Sequence, residues 1–278
     1  MKHNKLFTII GNPISHSLSP TLHNFWFSKY KFNFKYMSSE IDESQIKQII
    51  DKIKNHELAG ANVTLPFKQK VIPFLDKIVN DAKETSSVNT IYLDENGSVV
   101  GDNTDVYGLQ AGYLKEIFIK KNNNQKALIL GAGGVSPSII YALKKSNAFN
   151  ISLSNRTYEK SIFLKKKFPE ISIIDWSKLN EMIEKFDIII NATSLGLSSK
   201  EDFNFDLNNV SNSSIFIDTI YNPLETNAIK KLKKRNIKTF NGLNMFVYQG
   251  QKSFYIWTKQ NPEIDEELLG LLENKIKL

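Results

Sequence analysis

Four apolar residues in a row, Ala127-Leu128-Ile129-Leu130, run straight into Gly131-Ala132-Gly133-Gly134-Val135-Ser136-Pro137 and then into the apolar stretch Ser138 to Leu143. Successive side chains of a strand point to opposite faces, so an unbroken apolar run leaves no face for water. Such a strand must be covered on both sides. Comparable segments recur at Asn150 to Ser154, Ile171 to Ile174, Asp187 to Asn191, Ile215 to Asp218 and Ile237 to Phe240. With helical stretches between them, they predict an α/β fold built on a doubly wound parallel sheet. No internal repeat of fixed period accompanies them.

The turn after Leu130 carries chemistry. Strand, glycine turn and helix in that order form the context a dinucleotide fingerprint needs. Gly131 permits the tight turn and Gly133 lets the backbone approach a pyrophosphate. The helix N-terminus adds free N–H groups and a positive dipole end. Ser136 stands where a third glycine is usual, and Pro137 is tolerated in a first helical turn because its missing N–H has no partner there. The next strand ends in Asn155-Arg156-Thr157, with no acid at its tip to hold a ribose 2′-hydroxyl. Of 36 basic residues only Arg156 and Arg235 are arginines. A planar, forked guanidinium at this tip suits a 2′-phosphate, and Lys160 lies one helical turn on. NADP is therefore expected over NAD, with Glu159 as the one nearby group opposing a phosphate.

At 278 residues the chain is long for one hydrophobic core, so two domains are expected. Ahead of the glycine turn, Leu6 to Ile10, Phe34 to Met37, Ala59 to Thr64 and Asn89 to Leu93 read as strands. Pro20 to Tyr30 and Ser44 to Lys54 read as helices, the second with Ile46, Ile49, Ile50 and Ile53 at helical spacing. A helix is expected from Asp105 to Ile117, a linker over Lys120 to Gln125, and closing helices over Asn244 to Gln260 and Ile264 to Ile276. In Asn62-Val63-Thr64-Leu65-Pro66-Phe67-Lys68, alternation sets Val63 and Leu65 on one side and Asn62 and Thr64 on the other. Pro66 then stops the strand, with Lys68 just beyond. Taken alone, this is also the pattern of an edge strand with a solvated face.

Composition excludes several classes. No apolar run reaches the length of a membrane span, and Leu6 to Ile10 is too short for a signal-peptide core. The absence of cysteine excludes disulfides and thiolate metal sites and fits a reducing cytoplasm. No metal is called for. The net charge of +7 comes from scattered lysines, and the clusters at Lys165 to Lys167 and Lys230 to Arg235 fall on helical segments. Solvated helix faces explain them, so neither nucleic acid nor membrane is an expected partner.

The remaining polar motifs are Gly11 to Pro20 with His23-Asn24, Ser87 to Thr90, Gly101 to Asp105, Asn191 to Gly196, Asp218 to Pro223, and Asn241 to Met245 followed by Gln249-Gly250. In this order, with Asn62 to Lys68, the chain resembles the shikimate dehydrogenase family over essentially its full length. The resemblance implies NADPH-dependent reduction of 3-dehydroshikimate to shikimate, on the route to chorismate and the aromatic amino acids. It also implies a substrate domain, residues 1–105 and 242–278, beside a Rossmann-type NADP-binding domain, residues 106–241, with the site in the cleft between them.

Residue by residue, the resemblance assigns Lys68 and Asp105 as the catalytic pair. Ser17, Ser19, Thr64, Lys68, Asn89, Asp105, Tyr221 and Gln249 are the implied substrate contacts. The implied cofactor positions are Gly131, Ala132, Gly133, Gly134, Val135, Asn155, Arg156, Thr157, Tyr158, Glu159, Lys160, Thr219 and Gly242. Shikimate is a small ring with a carboxylate and three hydroxyls, which short neutral donors and acceptors discriminate well. Hydride transfer to a ketone builds negative charge on oxygen that a proton must meet; Lys68 is the candidate donor and Asp105 its holder. His16 is read as structural.

The chain departs from the family pattern at Val106-Tyr107, where glycine usually follows the aspartate, at Gln251, where alanine is common, and at Asn80, where an acid is frequent. The alternatives are a quinate/shikimate dehydrogenase using NAD(P) and a non-catalytic shikimate-binding paralogue. The partner is a small molecule, and a homodimer is left open.

Overall fold

The computed structural model describes residues 4–118, 125–146, 149–197 and 202–277. The chain divides into two compact units, Met1–Gly108 with Val247–Leu278, and Leu109–Phe246. Among the described residues, no helix is long and apolar enough to cross a membrane.

The first unit begins with β1 (Lys5–Gly11), α1 (Ser19–Lys29), β2 (Phe34–Glu40), α2 (Ile46–Lys54) and β3 (Gly60–Val63). There follow β4 (Lys77–Ile78), α3 (Asp81–Thr85), β5 (Thr90–Leu93) and β6 (Val99–Asp102). Helix α2 buries Ile46, Ile49, Ile50 and Ile53 and turns its lysines outward, as the spacing requires. Each such isoleucine contributes about 1.5–3 kcal/mol through burial. The sheet order is β2-β1-β3-β5-β6-β4. Strands β1, β2 and β3 are mutually parallel, whereas β5 runs antiparallel to both β3 and β6.

Strand β3 is thus interior, and the edge-strand reading of the Asn62 motif is wrong. Leu65 also departs from expectation: it is 58% exposed, because the regular strand ends at Val63 and the chain turns away before the alternation reaches it. The β5–β6 hairpin was not anticipated. Its turn is closed by Asp94 Oδ1, which accepts from the backbone N–H groups of Asn96 and Ser98, and by Gly97 at φ +77°.

Next come α4 (Asp105–Leu109), α5 (Lys115–Phe118), β7 (Gln125–Leu130), α6 (Ser136–Lys145), β8 (Phe149–Ser154), α7 (Tyr158–Lys167) and β9 (Ser172–Ile173). The order continues through α8 (Leu179–Met182), β10 (Ile188–Asn191), β11 (Ile215–Asp218), α9 (Asn227–Lys234), β12 (Lys238–Phe240), α10 (Leu243–Thr258) and α11 (Glu266–Lys277). The sheet of the second unit is wholly parallel, in the order β12-β11-β10-β7-β8-β9. Renumbered within the unit and read from the β9 edge this is 3-2-1-4-5-6, the doubly wound Rossmann order, with its switch point between β7 and β10. The apolar runs that predict it are its interior strands: Ala127 to Leu130 and Ile188 to Ile190 are fully buried.

Two segments differ from the sequence reading. Gln125 opens β7 rather than closing a linker, while residues 120–124 of that linker lie outside the described residues. The helix expected over Asp105 to Ile117 is interrupted by a wider π turn at Gln110–Leu114. Gly112 of this turn lies against backbone, where an added Cβ would sit 3.1 Å from the Met245 nitrogen. Tyr113 donates its hydroxyl to the Asn241 carbonyl and accepts from Met245 N–H at 3.1 Å, so packing sets the wider turn.

Candidate active site

In the first unit, topology gathers the polar motifs at one end of the sheet. Parallel β1 and β3 both deliver their carboxyl ends there, followed by the Ser17–Ser19 loop and by Thr64 to Lys68. The loop is tied to the second of these by Asn12 N–H donating to the Leu65 carbonyl at 3.0 Å. Gly11 permits this approach, since a Cβ on it would meet Thr64 Cγ2 at 2.5 Å. Because β5 is antiparallel to β3, its start lies at the same end, with Thr90 opposite Asn62 and Asp102 opposite Thr90. Asn89 and Asp105 arrive by this reversal.

Lys68 Nζ donates to Asp105 Oδ2 at 2.6 Å, and the two side chains are only 12% and 6% exposed. The Lys68 carbonyl accepts from Val88 N–H at 2.8 Å, placing the lysine backbone beside Asn89. The Asn89 amide has a defined orientation: its Oδ1 accepts from Thr104 N–H at 2.8 Å, so Nδ2 faces Asp105 Oδ1 at 2.9 Å. Asn89 Nδ2 also approaches Gln249 Oε1 at 3.3 Å. Lys68, Asp105, Asn89 and Gln249 therefore form one bonded cluster. Ser17 Oγ accepts from Ser19 N–H at 3.3 Å, leaving Ser17 half-buried and Ser19 buried. Thr64 is half-buried, against Gly11.

In the second unit the glycine turn has the backbone its sequence requires. Gly131 adopts φ +106°, and a Cβ there would sit 2.9 Å from the backbone of Ala192. Gly133 is different: it is exposed, and the nearest atom to an added Cβ is 3.9 Å away. Protein packing demands no glycine at 133, whereas close approach by a pyrophosphate does. Ser136 is buried and donates its hydroxyl to the Gly131 carbonyl at 2.9 Å, bracing the turn. Asn155 Oδ1 accepts from Ala132 N–H at 3.0 Å, linking the turn to the tip of β8. Arg156, Thr157, Tyr158, Glu159 and Lys160 are all exposed at that tip and the start of α7. Arg235, the other arginine, is structural, donating to the carbonyls of Leu207 and Val210 at 2.8 Å each. Thr219 and Gly242 adjoin one another, since a Cβ on Gly242 would collide with the Thr219 carbonyl oxygen. Tyr221 belongs to this unit and is stacked on Phe246 at 4.5 Å. These residues fit a dinucleotide phosphate.

Asp218, at the end of β11, accepts from Asn191 Nδ2 (3.0 Å), Ile220 N–H (3.1 Å) and Thr226 Oγ1 (2.8 Å). Burial nevertheless pushes its carboxyl up to about 6, the hydrogen bonds offsetting only part of the effect. The native state then holds a proton that the unfolded chain has released, so stability falls as pH rises from about 4 to 6. In Asp218→Asn this dependence is absent. From pH 4 to 7 its stability relative to wild type should rise by about 2–3 kcal/mol in urea titrations; an unchanged difference would reject the assignment.

Three family models cover the chain: the shikimate dehydrogenase substrate binding domain at residues 9–91, shikimate/quinate 5-dehydrogenase at 114–244, and the shikimate 5′-dehydrogenase C-terminal domain at 242–266. A shikimate dehydrogenase (NADP+) from Pelagibacter ubique is 50% identical, with 97% of this chain and 99% of the relative aligned. The chain belongs to the shikimate dehydrogenase family. Among solved structures, shikimate dehydrogenase from Aquifex aeolicus superposes with a TM-score of 0.87 at 34% identity, covering 99% of this chain and 98% of that one. The Thermus thermophilus shikimate 5-dehydrogenase in complex with NADP(H) and shikimate gives 0.84 at 25% identity, with 98% of each chain covered.

Against the shikimate dehydrogenase pattern, the unusual residues have structural explanations. Val106 is fully buried and its N–H bonds Asn103 Oδ1 at 3.3 Å, so its side chain points into the core. Tyr107 donates to Gln251 Oε1 at 3.4 Å, and Gln251 Nε2 donates to the Pro262 carbonyl at 2.8 Å, so two departures are one contact. Asn80 donates to Asp102 Oδ2 at 2.8 Å.

The sequence reading missed a buried layer beneath the cluster, made of Tyr36, Asn62, Thr90, Thr104 and Ser253. Asn62, Thr90 and Thr104 lie within the polar motifs; Ser253, inside an apolar helix, gives no signal beyond its spacing of four from Gln249. His23 is fully buried, stacked on Tyr36 at 4.5 Å, and burial lowers its pKa to about 3. It is neutral at physiological pH and packs rather than transfers protons. His16 is exposed.

Proposed function

We propose that this chain catalyses the reversible, NADPH-dependent reduction of 3-dehydroshikimate to shikimate. The carrying observation is the secluded Lys68–Asp105 pair at 2.6 Å, with Asn89 on the other carboxylate oxygen. In this reading residues 1–105 and 242–278 form the substrate domain and 106–241 the cofactor domain. Gly131 to Val135 cradle the pyrophosphate, Arg156 and Lys160 meet the 2′-phosphate with Asn155, Thr157, Tyr158 and Glu159 around them, and Thr219 and Gly242 shape the rest of the cofactor site. When bound, NADPH supplies the hydride.

The chain's own residues do the remainder. Ser17, Ser19, Thr64, Asn89, Tyr221 and Gln249 hold the substrate's carboxylate and hydroxyls, and a missing hydroxyl leaves one of them unpaired. Lys68 donates a proton to the ketone oxygen as negative charge develops there. Asp105 holds the Lys68 ammonium with one oxygen and is itself oriented by Asn89 through the other. In the oxidation direction Lys68 takes the proton back.

The test follows NADPH absorbance with 3-dehydroshikimate, and NADP+ reduction with shikimate and, separately, quinate. Turnover should be robust with shikimate and weak with quinate; none with either 3-dehydroshikimate or shikimate would reject the proposal. For the cofactor half, Arg156→Ala should raise the KM for NADP+ by roughly 10–100-fold, the worth of charge-assisted bonds to a phosphate, with little change for NAD+. Equal losses for both cofactors would remove Arg156 from the phosphate.

A further inference from the structure

Ser253 lies on α10 one turn beyond Gln249, fully buried, and its hydroxyl is the meeting point of three segments. Its Oγ is 2.8 Å from Thr90 Oγ1 of β5, 3.1 Å from Thr104 Oγ1 and 3.1 Å from Asn62 Nδ2 of β3. It also donates to the Gln249 carbonyl at 3.1 Å. Each of these neighbours touches Asn89 directly. Asn62 Nδ2 donates to the Asn89 carbonyl at 2.9 Å, and the hydroxyls of Thr90 and Thr104 lie 3.1 and 3.2 Å from Asn89 Oδ1. The Asn89 carbonyl can only accept, so Asn62 Nδ2 must face it and the amide cannot turn to compensate, while Asn62 Oδ1 accepts from the Tyr36 hydroxyl at 2.7 Å.

Resting on the shikimate reduction proposed above, we propose that Ser253 is a positioning residue for substrate. It registers Gln249 of α10 against Asn89 and so against the carboxylate of Asp105. The argument is donor accounting. Without the Ser253 hydroxyl, Asn62, Thr90 and Thr104 each lose a partner in a buried site, and the acceptor they still share is the Asn89 side-chain or main-chain oxygen. The disturbance therefore reaches the residue that bonds both Asp105 and Gln249. The cofactor residues named above all belong to the second unit.

The experiment measures kcat and both KM values for the wild type, Ser253→Ala, Ser253→Cys and Thr90→Val. Ser253→Ala should lower kcat/KM for 3-dehydroshikimate about ten-fold or more, with a raised KM for that substrate and the KM for NADPH within two-fold. Ser253→Cys fills the same space with a weak donor and should behave like alanine. Thr90→Val, which deletes the hydroxyl at 2.8 Å with little change of shape, should give the same split and decides the matter if the Ser253 variants do not fold. A purely structural role reduces only the amount of active enzyme, lowering kcat and leaving both KM values alone; that result, or full recovery by cysteine, overturns the proposal. A wild type that turns over neither 3-dehydroshikimate nor shikimate overturns the function itself, and an active wild type with unchanged variants overturns Ser253 alone.

Discussion

Lys68→Met should lower kcat for 3-dehydroshikimate reduction by about 10³-fold, within the range of roughly 10²–10⁴ that a positioned general acid contributes. Methionine preserves the apolar stem and removes only the charge and the proton, so the cofactor site should be untouched. The NADPH dissociation constant, measured by fluorescence titration, should therefore stay within two-fold of wild type. A loss of activity below ten-fold would mean that solvent or another group supplies the proton, and Lys68 would lose its role. A large loss with weakened NADPH binding would point to a general disturbance instead.

Asp105→Asn carries the second large effect, and it acts on both stability and activity. The asparagine can still accept from Asn89, but Lys68 is left with a poorly hydrated, uncompensated charge. Breaking a buried pair from one side costs about 3–5 kcal/mol, visible as a lowered urea midpoint. Activity should fall by about 10²–10³-fold, because the ammonium is no longer held toward the ketone. The double variant Lys68→Met/Asp105→Asn separates the two losses. Removing both charges restores much of the stability while activity stays lost. A double variant as unstable as Asp105→Asn would show that the charge pair is not what Asp105 contributes.

What could be read from the chain follows the range of the forces involved. The glycine turn is a local object: Gly131 needs its positive φ for reasons carried by its immediate neighbours, and apolar runs such as Ala127 to Leu130 announce double-sided burial wherever they stand. The Rossmann-type unit was legible for that reason. The first unit was harder. Two-residue β4 and four-residue β6 are too short to show a period, and the antiparallel direction of β5 depends on a turn whose anchor is the Asp94 side chain. Leu65 was misplaced because alternation was extended beyond Val63, where the regular strand ends and the chain turns.

The candidate site shows the same division. Motif order was enough to name Lys68, Asp105, Asn89 and Gln249, but nothing in it says that they touch. Tyr221, named with them, sits in the other unit, while Ser253, named by no motif, lies beneath them.

By itself, the sequence determined the class of fold and the nucleotide turn, because apolar periodicity and glycine geometry act over a few residues, while the candidate chemistry came from the family its motif order resembles. Tertiary structure alone decided which groups meet. Asn62 and Ser253 are bonded across 191 residues of chain, and Lys68 reaches Asp105 because a reversed hairpin returns β6 to the end of the sheet where β3 stops. Such contacts form when strands pair and buried polar groups must find partners within the folded interior, a condition that no local pattern encodes.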